Sequence, residues 1–554
     1  MSLPQWTSEI IEVTKVGEDQ LGVEGAAQGY QQLILPGITT VTDHARYYSL
    51  YAWIIYRYLF DRKSSRLLAG FRGQFYSHHE VALILSAFLH HLDRPISGVT
   101  GSGINNRTVK RLWGKKDPTS LDQDYFQNKE GGFGQYYRIA MQTMGIIEIP
   151  EDNRLVYYLT DRGKDLAEAY QESISDTQYY KSLEECGQLK SLSREDASEY
   201  GEVGCICPEA LSRGKDRIKL LDAFFRMDEP QGFSNNHVRR RNSLGVVLDL
   251  VHQADGQFRR ERLRPALYIR EFSAGLNYSP ANEIVDWVKR WQLVEVRHMY
   301  SFGFQCLWAA FLLELRDHSE IGRDEWQAWI TSQLKEKGWD ISLKKLSEKL
   351  CAKAGISGKF DELLEKTHQV FGLQSGLDEY SLYQKAIRRQ TNSAFLFQTG
   401  VCILLQIYLR FFPDYKSQDP LWLEIATRDR LPMNRYFTNV ERKLQNTDFS
   451  TFDWVNWVFQ EYIFEQHEMV ALEKLRNQWY DTFKFYYDEG IFRWPTGKNG
   501  YTEPIRLAAN RLNNCITILE DLGLLIENPD GFLSLSADGI SYYHQVLKAL
   551  EDAN

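Results

Sequence analysis

Trp326-Gln327-Ala328-Trp329-Ile330-Thr331-Ser332-Gln333-Leu334 sets its apolar residues three and four positions apart, so Trp326, Trp329, Ile330 and Leu334 share one helix face. Trp454, Trp457, Val458 and Tyr462 repeat the spacing. Most of the chain carries this period, which predicts a mainly α, multi-domain protein with few, short strands. At 554 residues, roughly three to four times a ~150-residue domain, the chain has ample material for buried cores. Hydrophobic residues make up 43% and charged residues 25%, values of a globular chain that exclude a disordered or fibrous one.

Strand signals cluster at two places with the same context. After the helix-like run Tyr136 to Met144 come Gly145-Ile146-Ile147-Glu148-Ile149, a turn from Pro150 to Asn153, Leu155 to Leu159, and Thr160-Asp161-Arg162-Gly163 opening a new helix. Near the C-terminus, a predicted helix over 503–519 ends in Leu522-Gly523-Leu524-Leu525, and a turn at Asn528-Pro529-Asp530-Gly531 leads to Leu533 and then Ser536-Ala537-Asp538-Gly539. Both resemble a winged helix, in which a glycine stops a helix in left-handed conformation before a two-stranded wing. The expected organisation is an N-terminal helical domain over 1–171 ending in such a module, a linker or connecting hairpin over 172–215, a central helical domain over 216–488, and a C-terminal winged-helix domain over 489–554.

Seven cysteines thinly spread over a long chain predict a reducing compartment, and Met1 to Lys15 lacks the pattern of a secretory signal, so the expected location is cytoplasmic. Gln390 to Leu409 is uncharged and long enough for a bilayer span, but its Gln, Asn, Thr and Ser residues favour a buried helix and no membrane partner.

No recognised motif carries a chemistry. Gly98-Val99-Thr100-Gly101-Ser102-Gly103 lacks the Lys-Ser/Thr of a phosphate loop. His79 and His90 stand eleven residues apart, about 16 Å along a helix, too far for one ion, so His78, His79, His90 and His91 read as surface and groove residues. Cys205-Ile206-Cys207, with Cys186 upstream, offers thiolates without a second pair at finger spacing. Glu461, Glu465 and Glu468 read as a solvated stripe. Asp286 followed by Glu295-Val296-Arg297 is a degenerate echo of a nuclease motif, with Arg where Lys chemistry is needed. Neither a metal nor a cofactor is expected, and no catalytic residue is assigned.

The strongest local anomaly is basic. The chain as a whole is acidic, at −9, yet residues 238–270 hold eight arginines against Asp249, Asp255 and Glu261. Arg239, Arg240, Arg241, Arg259, Arg260, Arg262 and Arg264 are candidates for contact with double-stranded DNA, because a guanidinium fork matches two phosphate oxygens. Interhelical ion pairing is the alternative. Arg506, Asn510 and Asn513 would face outward on the predicted 503–519 helix, as a recognition helix requires.

Leu35-Pro36-Gly37-Ile38-Thr39-Thr40, then Arg46-Tyr47-Tyr48 and Trp53, resemble a motif of uncharacterised bacterial proteins encoded near anti-phage defence and restriction genes. His298-Met299-Tyr300-Ser301-Phe302 and Leu522-Gly523-Leu524 are similar to pieces of the same family. The resemblance implies a setting beside bacterial anti-phage defence genes and not a mechanism. Together with the winged-helix patterns, the arginine-rich segment and no catalytic motif, it makes the leading expectation a non-enzymatic DNA-binding or scaffold subunit of a bacterial anti-phage defence system, docking ATPase, helicase or nuclease subunits. Two other readings are a kleisin-like bridging subunit of a chromosome-structure-type motor and a nuclease or other effector with a divergent active site. From the residues alone, Arg46 to Trp53 is an aromatic helix packed into a core, with Arg46 able to pair an acid or a phosphate.

Overall fold

The computed structural model describes residues 19–63, 72–93, 96–99, 117–122, 130–151, 157–366, 371–428, 430–446, 448–478, 481–495 and 505–552. The expectations placed on Met1 to Lys15 and on most of Gly98 to Arg107 lie outside them. The protein is mainly α, with short two- and three-stranded sheets. It divides into two compact units that interleave in sequence, where consecutive domains were expected: one holds Met1–Tyr30, Arg264–Tyr278 and Val288–Ala508, the other Gln31–Leu263, Ser279–Trp287 and Ala509–Asn554.

In the first unit, the helix Val285–His318, from Val288 onward, packs against Ser393–Ser417. The approach is close because both helices are notched. A methyl on Gly400 would lie 2.8 Å from the Gly303 carbonyl oxygen and 2.7 Å from Leu307. Ser393–Ser417 is long and apolar enough to cross a membrane, and 83% of its most apolar window is buried inside the protein. Aromatic rings fill the core around it: Phe311 contacts Trp326, Phe464, Phe485 and Phe492, and Trp326 stacks on Trp329 at 4.8 Å. Trp326, Ile330 and Leu334 are buried, as are Trp454, Val458 and Tyr462, so the periodicity faces inward as read. The second aromatic run loosens into a π-helical turn over Phe459–Phe464.

The second unit contains both helix–hairpin–helix segments, and they match atom for atom in their connections. Gly145 (φ +67°) and Gly523 (φ +71°) end their helices. The strands Ile147–Glu148 and Tyr158–Leu159 pair antiparallel, as do Leu525–Glu527 and Leu533–Leu535. Thr160 Oγ1 donates to the Gly145 carbonyl at 2.8 Å and accepts from Gly163 N–H at 3.0 Å; Ser536 Oγ donates to Gly523 at 2.7 Å and accepts from Gly539 N–H at 3.0 Å. Gly163 and Gly539 are required because a methyl on either would collide with the carbonyl oxygen of Ile146 or Leu524.

Two expectations are corrected. The segment 172–215 is not a linker: it folds as the helices Gln178–Cys186, Arg194–Gly204 and Pro208–Arg213, started by the side-chain caps of Thr177, Ser193 and Cys207. Its polar residues, read as connection, are helix caps and solvent faces around buried Tyr179 and Tyr200. The last hairpin's leading helix is Leu512–Asp521, because Asn510 Oδ1 accepts from Leu512 N–H at 2.8 Å and the residues from Ile505 to Asn510 are not helical.

Helix propensity alone would favour a larger residue than glycine at position 400 by up to about 1 kcal/mol. The close contact with the Gly303 backbone decides the other way. Gly400→Val is expected to lower unfolding free energy in urea titration by about 1–3 kcal/mol, and an unchanged midpoint would refute the close packing.

Candidate functional site

Helix ends and buried acids decide where the expected DNA-contacting arginines point. The helix Asp216–Phe225 ends at Arg226 in left-handed conformation (φ +46°), leaving terminal carbonyls exposed to whatever lies beside them. The next helix, Asn236–Gln253, supplies the cations. Arg240, fully buried, donates to the carbonyls of Ala223 at 2.8 Å, Phe224 at 3.0 Å and Pro36 at 3.4 Å. Arg241, also buried, donates to Arg226 at 2.7 Å and Glu229 at 3.2 Å. Positive charge at a helix C-terminus complements its dipole, and burial pulls Arg240 down to about 10. Arg239 is half-buried, bonded to Asn236 and 5.5 Å over the ring of Phe233.

The remaining candidates are scattered. Arg259 lies 4.0 Å over the Phe532 ring, Arg260 pairs with Glu520 and bonds Thr517 at 3.1 Å, and Arg262 is half-buried. In the other unit Arg264 pairs with fully buried Glu295 at 3.0 Å and bonds the Ala508 carbonyl. Arg506 and Asn513 are exposed, whereas Asn510 is buried, its side-chain oxygen accepting from Leu512 N–H. Arg506 and Asn510 precede the helix, and its Thr517 and Glu520 are held by Arg260, so the expected Arg/Asn recognition face is not assembled. Local positive charge reported a need for cations at a helix end, which the sequence could not distinguish from a need for phosphate. The nuclease echo is likewise absorbed: Glu295 pairs with Arg264, and Arg297 donates to the carbonyls of Leu431 at 2.7 Å and Arg430 at 2.8 Å. On the predicted acidic stripe Glu465 is exposed, while burial raises the Glu468 carboxyl.

The Pro36-Gly37 and Arg46-Tyr47-Tyr48 motif builds a junction inside the second unit. Gly37 (φ +87°) has no room for a methyl, which would meet Met144 at 2.6 Å, and its carbonyl accepts from Tyr48 Oη at 2.6 Å. Arg46 forms a fully buried two-pronged ion pair with Asp216, both contacts 3.1 Å, and donates to the Cys205 carbonyl at 2.8 Å. His44 donates from Nδ1 to Asp521 at 2.9 Å and from Nε2 to the Ser97 carbonyl at 2.8 Å. Two acceptors require both ring nitrogens to carry hydrogen. Burial opposes that charge, but Asp521 outweighs it and pushes His44 up to about 9.

Sequence spacing missed one cluster. The helix Arg72–His90 crosses Arg194–Gly204 at Gly201, where a methyl would lie 2.7 Å from the Ser86 carbonyl oxygen and 3.2 Å from His90 Cβ. This approach brings His90 and His91 to the turn after the second helix. Ligand atoms of His90, His91 and Cys207 all lie within 4.8 Å of one another, and Cys205 Sγ is 3.4 Å from His91 Nε2. Cys205 and Cys207 are buried, and the histidines are half-buried. The neighbouring Cys205 thiol, the Ala210 N–H and His91 draw the Cys207 thiol down, while the hydrogen bond with Cys207 and burial push Cys205 up. His78 and His79 are not surface residues: both are buried, His79 Nδ1 is 2.6 Å from Tyr179 Oη, and burial pulls His79 down to about 3. Cys186 is exposed and stands outside the cluster.

Arg240→Ala is expected to cost about 2–4 kcal/mol through unpaired helix-end carbonyls and a cavity, with duplex DNA affinity in a two-salt gel-shift titration unchanged. Weakened DNA binding at an unchanged melting temperature would return Arg240 to the surface. The His44 pair makes a pH statement. Its folded affinity for a proton exceeds the unfolded value of about 6.5, so its contribution is complete below that pH and fades as pH rises through about 9. Wild-type stability is expected to fall by roughly 2–3 kcal/mol more than that of His44→Gln between pH 6 and 10; parallel curves would rule the charged pair out.

No family model matches the chain, and no curated protein or solved structure is similar to it.

Proposed function

We propose that the protein is a non-enzymatic scaffold subunit of a bacterial anti-phage defence complex in the cytoplasm, docking a subunit that carries the catalysis. The observation that carries the reading is an apolar row left in solvent on the helix Glu465–Gln478: Met469, Leu472 and Leu475 are 52%, 55% and 40% exposed. Residues three apart lie along one side of a helix, and a contiguous apolar row in water costs free energy that a partner's groove recovers. The opposite side of this helix, through Gln466, His467 and Val470, is buried, so the row is fixed in place. The defence setting rests on the N-terminal motif, whose Gly37, Arg46 and Tyr48 are all committed to the core. Two matching helix–hairpin–helix modules support reading it as a winged-helix adaptor. Contact with double-stranded DNA, where it occurs, falls to cations at the surface such as Arg506 and half-buried Arg262 rather than to Arg240 and Arg241.

Co-expression with the proteins encoded beside this one tests the reading. The wild-type chain is expected to co-elute with one of them in gel filtration. The triple variant Met469→Glu, Leu472→Glu, Leu475→Glu is expected to elute alone, with a melting temperature within about 2 °C of wild type because the three side chains are exposed. Retained co-elution by the folded variant would remove this surface from the proposal.

A further inference from the structure

We infer that His90, His91, Cys205 and Cys207 form a structural binding site for a tetrahedral thiophilic divalent cation, with Zn²⁺ the best match. Four nitrogen and sulfur ligands are the donor set of closed structural zinc sites, which hold Zn–N at about 2.0–2.1 Å and Zn–S at about 2.3 Å. In a tetrahedron of those bond lengths the ligand atoms stand about 3.4–3.8 Å apart. Cys205 Sγ and His91 Nε2, at 3.4 Å, already have that separation. His90, His91 and Cys207 form the group whose ligand atoms lie within 4.8 Å of one another, Cys205 standing outside it, so rotation of the side chains completes the four-ligand shell. Oxygen-preferring cations such as Mg²⁺ and Ca²⁺ are excluded by chemistry, since none of the four donors is an oxygen.

Three features of the surroundings support a built site. Both sulfurs are buried, which disfavours solvent as a competing ligand, while the half-buried imidazoles leave a path for the ion to enter. The turn that carries the sulfurs is held by groups outside the cluster: the Cys205 carbonyl accepts from Arg46 at 2.8 Å, and Cys207 Sγ accepts from Ala210 N–H at 3.4 Å. Hydrogen bonds of this kind, from groups that do not touch the ion, orient metal ligands. The missing side chain at Gly201 is also explained, because any side chain there would push the His90–His91 helix end away from the turn. As Zn²⁺ binds, each thiol that becomes a ligand releases its proton to solvent; nothing is oxidised or reduced.

The proposal is independent of the scaffold reading and is tested on the full chain with the metals alone. Protein purified without chelator, then dialysed with equimolar Zn²⁺, is expected to retain one zinc per chain by elemental analysis. Loading with Co²⁺ is expected to give thiolate-to-cobalt charge-transfer absorption in the near ultraviolet and intense tetrahedral bands in the visible. Cys207→Ser and His91→Gln should lose the zinc and the thiolate band, while Cys186→Ser, at an exposed cysteine outside the cluster, should keep both. Should Cys207→Ser fail to fold by circular dichroism, His90→Gln at the half-buried helix end carries the test. The proposal is overturned by absence of zinc after dialysis, by cobalt binding without a thiolate band, or by equal zinc content in wild type and the folded ligand variants.

Discussion

The Arg46–Asp216 ion pair is the constraint around which the second unit is arranged. Both side chains are fully enclosed, and removing two charges from water costs several kcal/mol per ion unless every donor and acceptor is satisfied. Here the satisfaction is complete enough to be specific. Asp216 receives both prongs of Arg46 and, in addition, Ser49 Oγ at 2.6 Å and Ser173 Oγ at 3.3 Å. Arg46 gives its third contact to the Cys205 carbonyl and sits 5.2 Å from the Tyr170 ring centre. Four stretches of chain therefore meet at one charge pair, and none can move away without leaving a buried ion short of a partner. Gly214 shows how tight the junction is: a methyl there would stand 2.7 Å from Arg46 Nη2.

The same physics turns Arg240 and Arg241 of the arginine-rich segment inward. A helix end presents carbonyl oxygens without partners, and a buried guanidinium with five N–H groups can satisfy several at once. Arg240 does this for Ala223 and Phe224, seventeen and sixteen residues earlier, and also for Pro36, 204 residues away. Net charge counted along a sequence window contains no information about such acceptors. A run of arginines reads the same whether it faces phosphate or the end of a neighbouring helix, and only the geometry separates the two.

What was readable in the sequence was what short-range physics governs. The three-and-four spacing of Trp326, Ile330 and Leu334 gave the buried helix faces, and the polar residues scattered through Gln390 to Leu409 pointed to a helix buried in protein. Gly145 with Gly163, and Gly523 with Gly539, marked both helix–hairpin–helix segments because each glycine answers a local backbone requirement. Residues 172–215 have the composition of a loop because caps such as Thr177 and Ser193 are the residue types that loops also use, and composition alone does not separate the two. The 503–519 spacing overextends the helix because Asn510, which falls on its outward face, instead accepts from Leu512 N–H through its side chain just ahead of the first turn. The His–Cys cluster had no spacing to find: its halves are more than a hundred residues apart and meet only through the crossing at Gly201.

Cys205 joins the two most consequential features of this unit, and the way it does so determines what a bound metal would contribute. Its carbonyl is fixed by Arg46 and its sulfur faces His91. Because the buried Arg46 guanidinium itself holds the turn through the Cys205 carbonyl, metal binding here would not have to supply the free energy of folding, as it does in small zinc modules that unfold without their ion. It would instead add stability by mass action, on top of a turn already in place. The ion would also tie the end of the Arg72–His90 helix to the start of Pro208–Arg213, reinforcing a crossing that otherwise depends on the bare backbone of Gly201. The expected consequence is local: loss of the ion loosens the helix end at His90 and His91, while the Arg46–Asp216 junction stays closed.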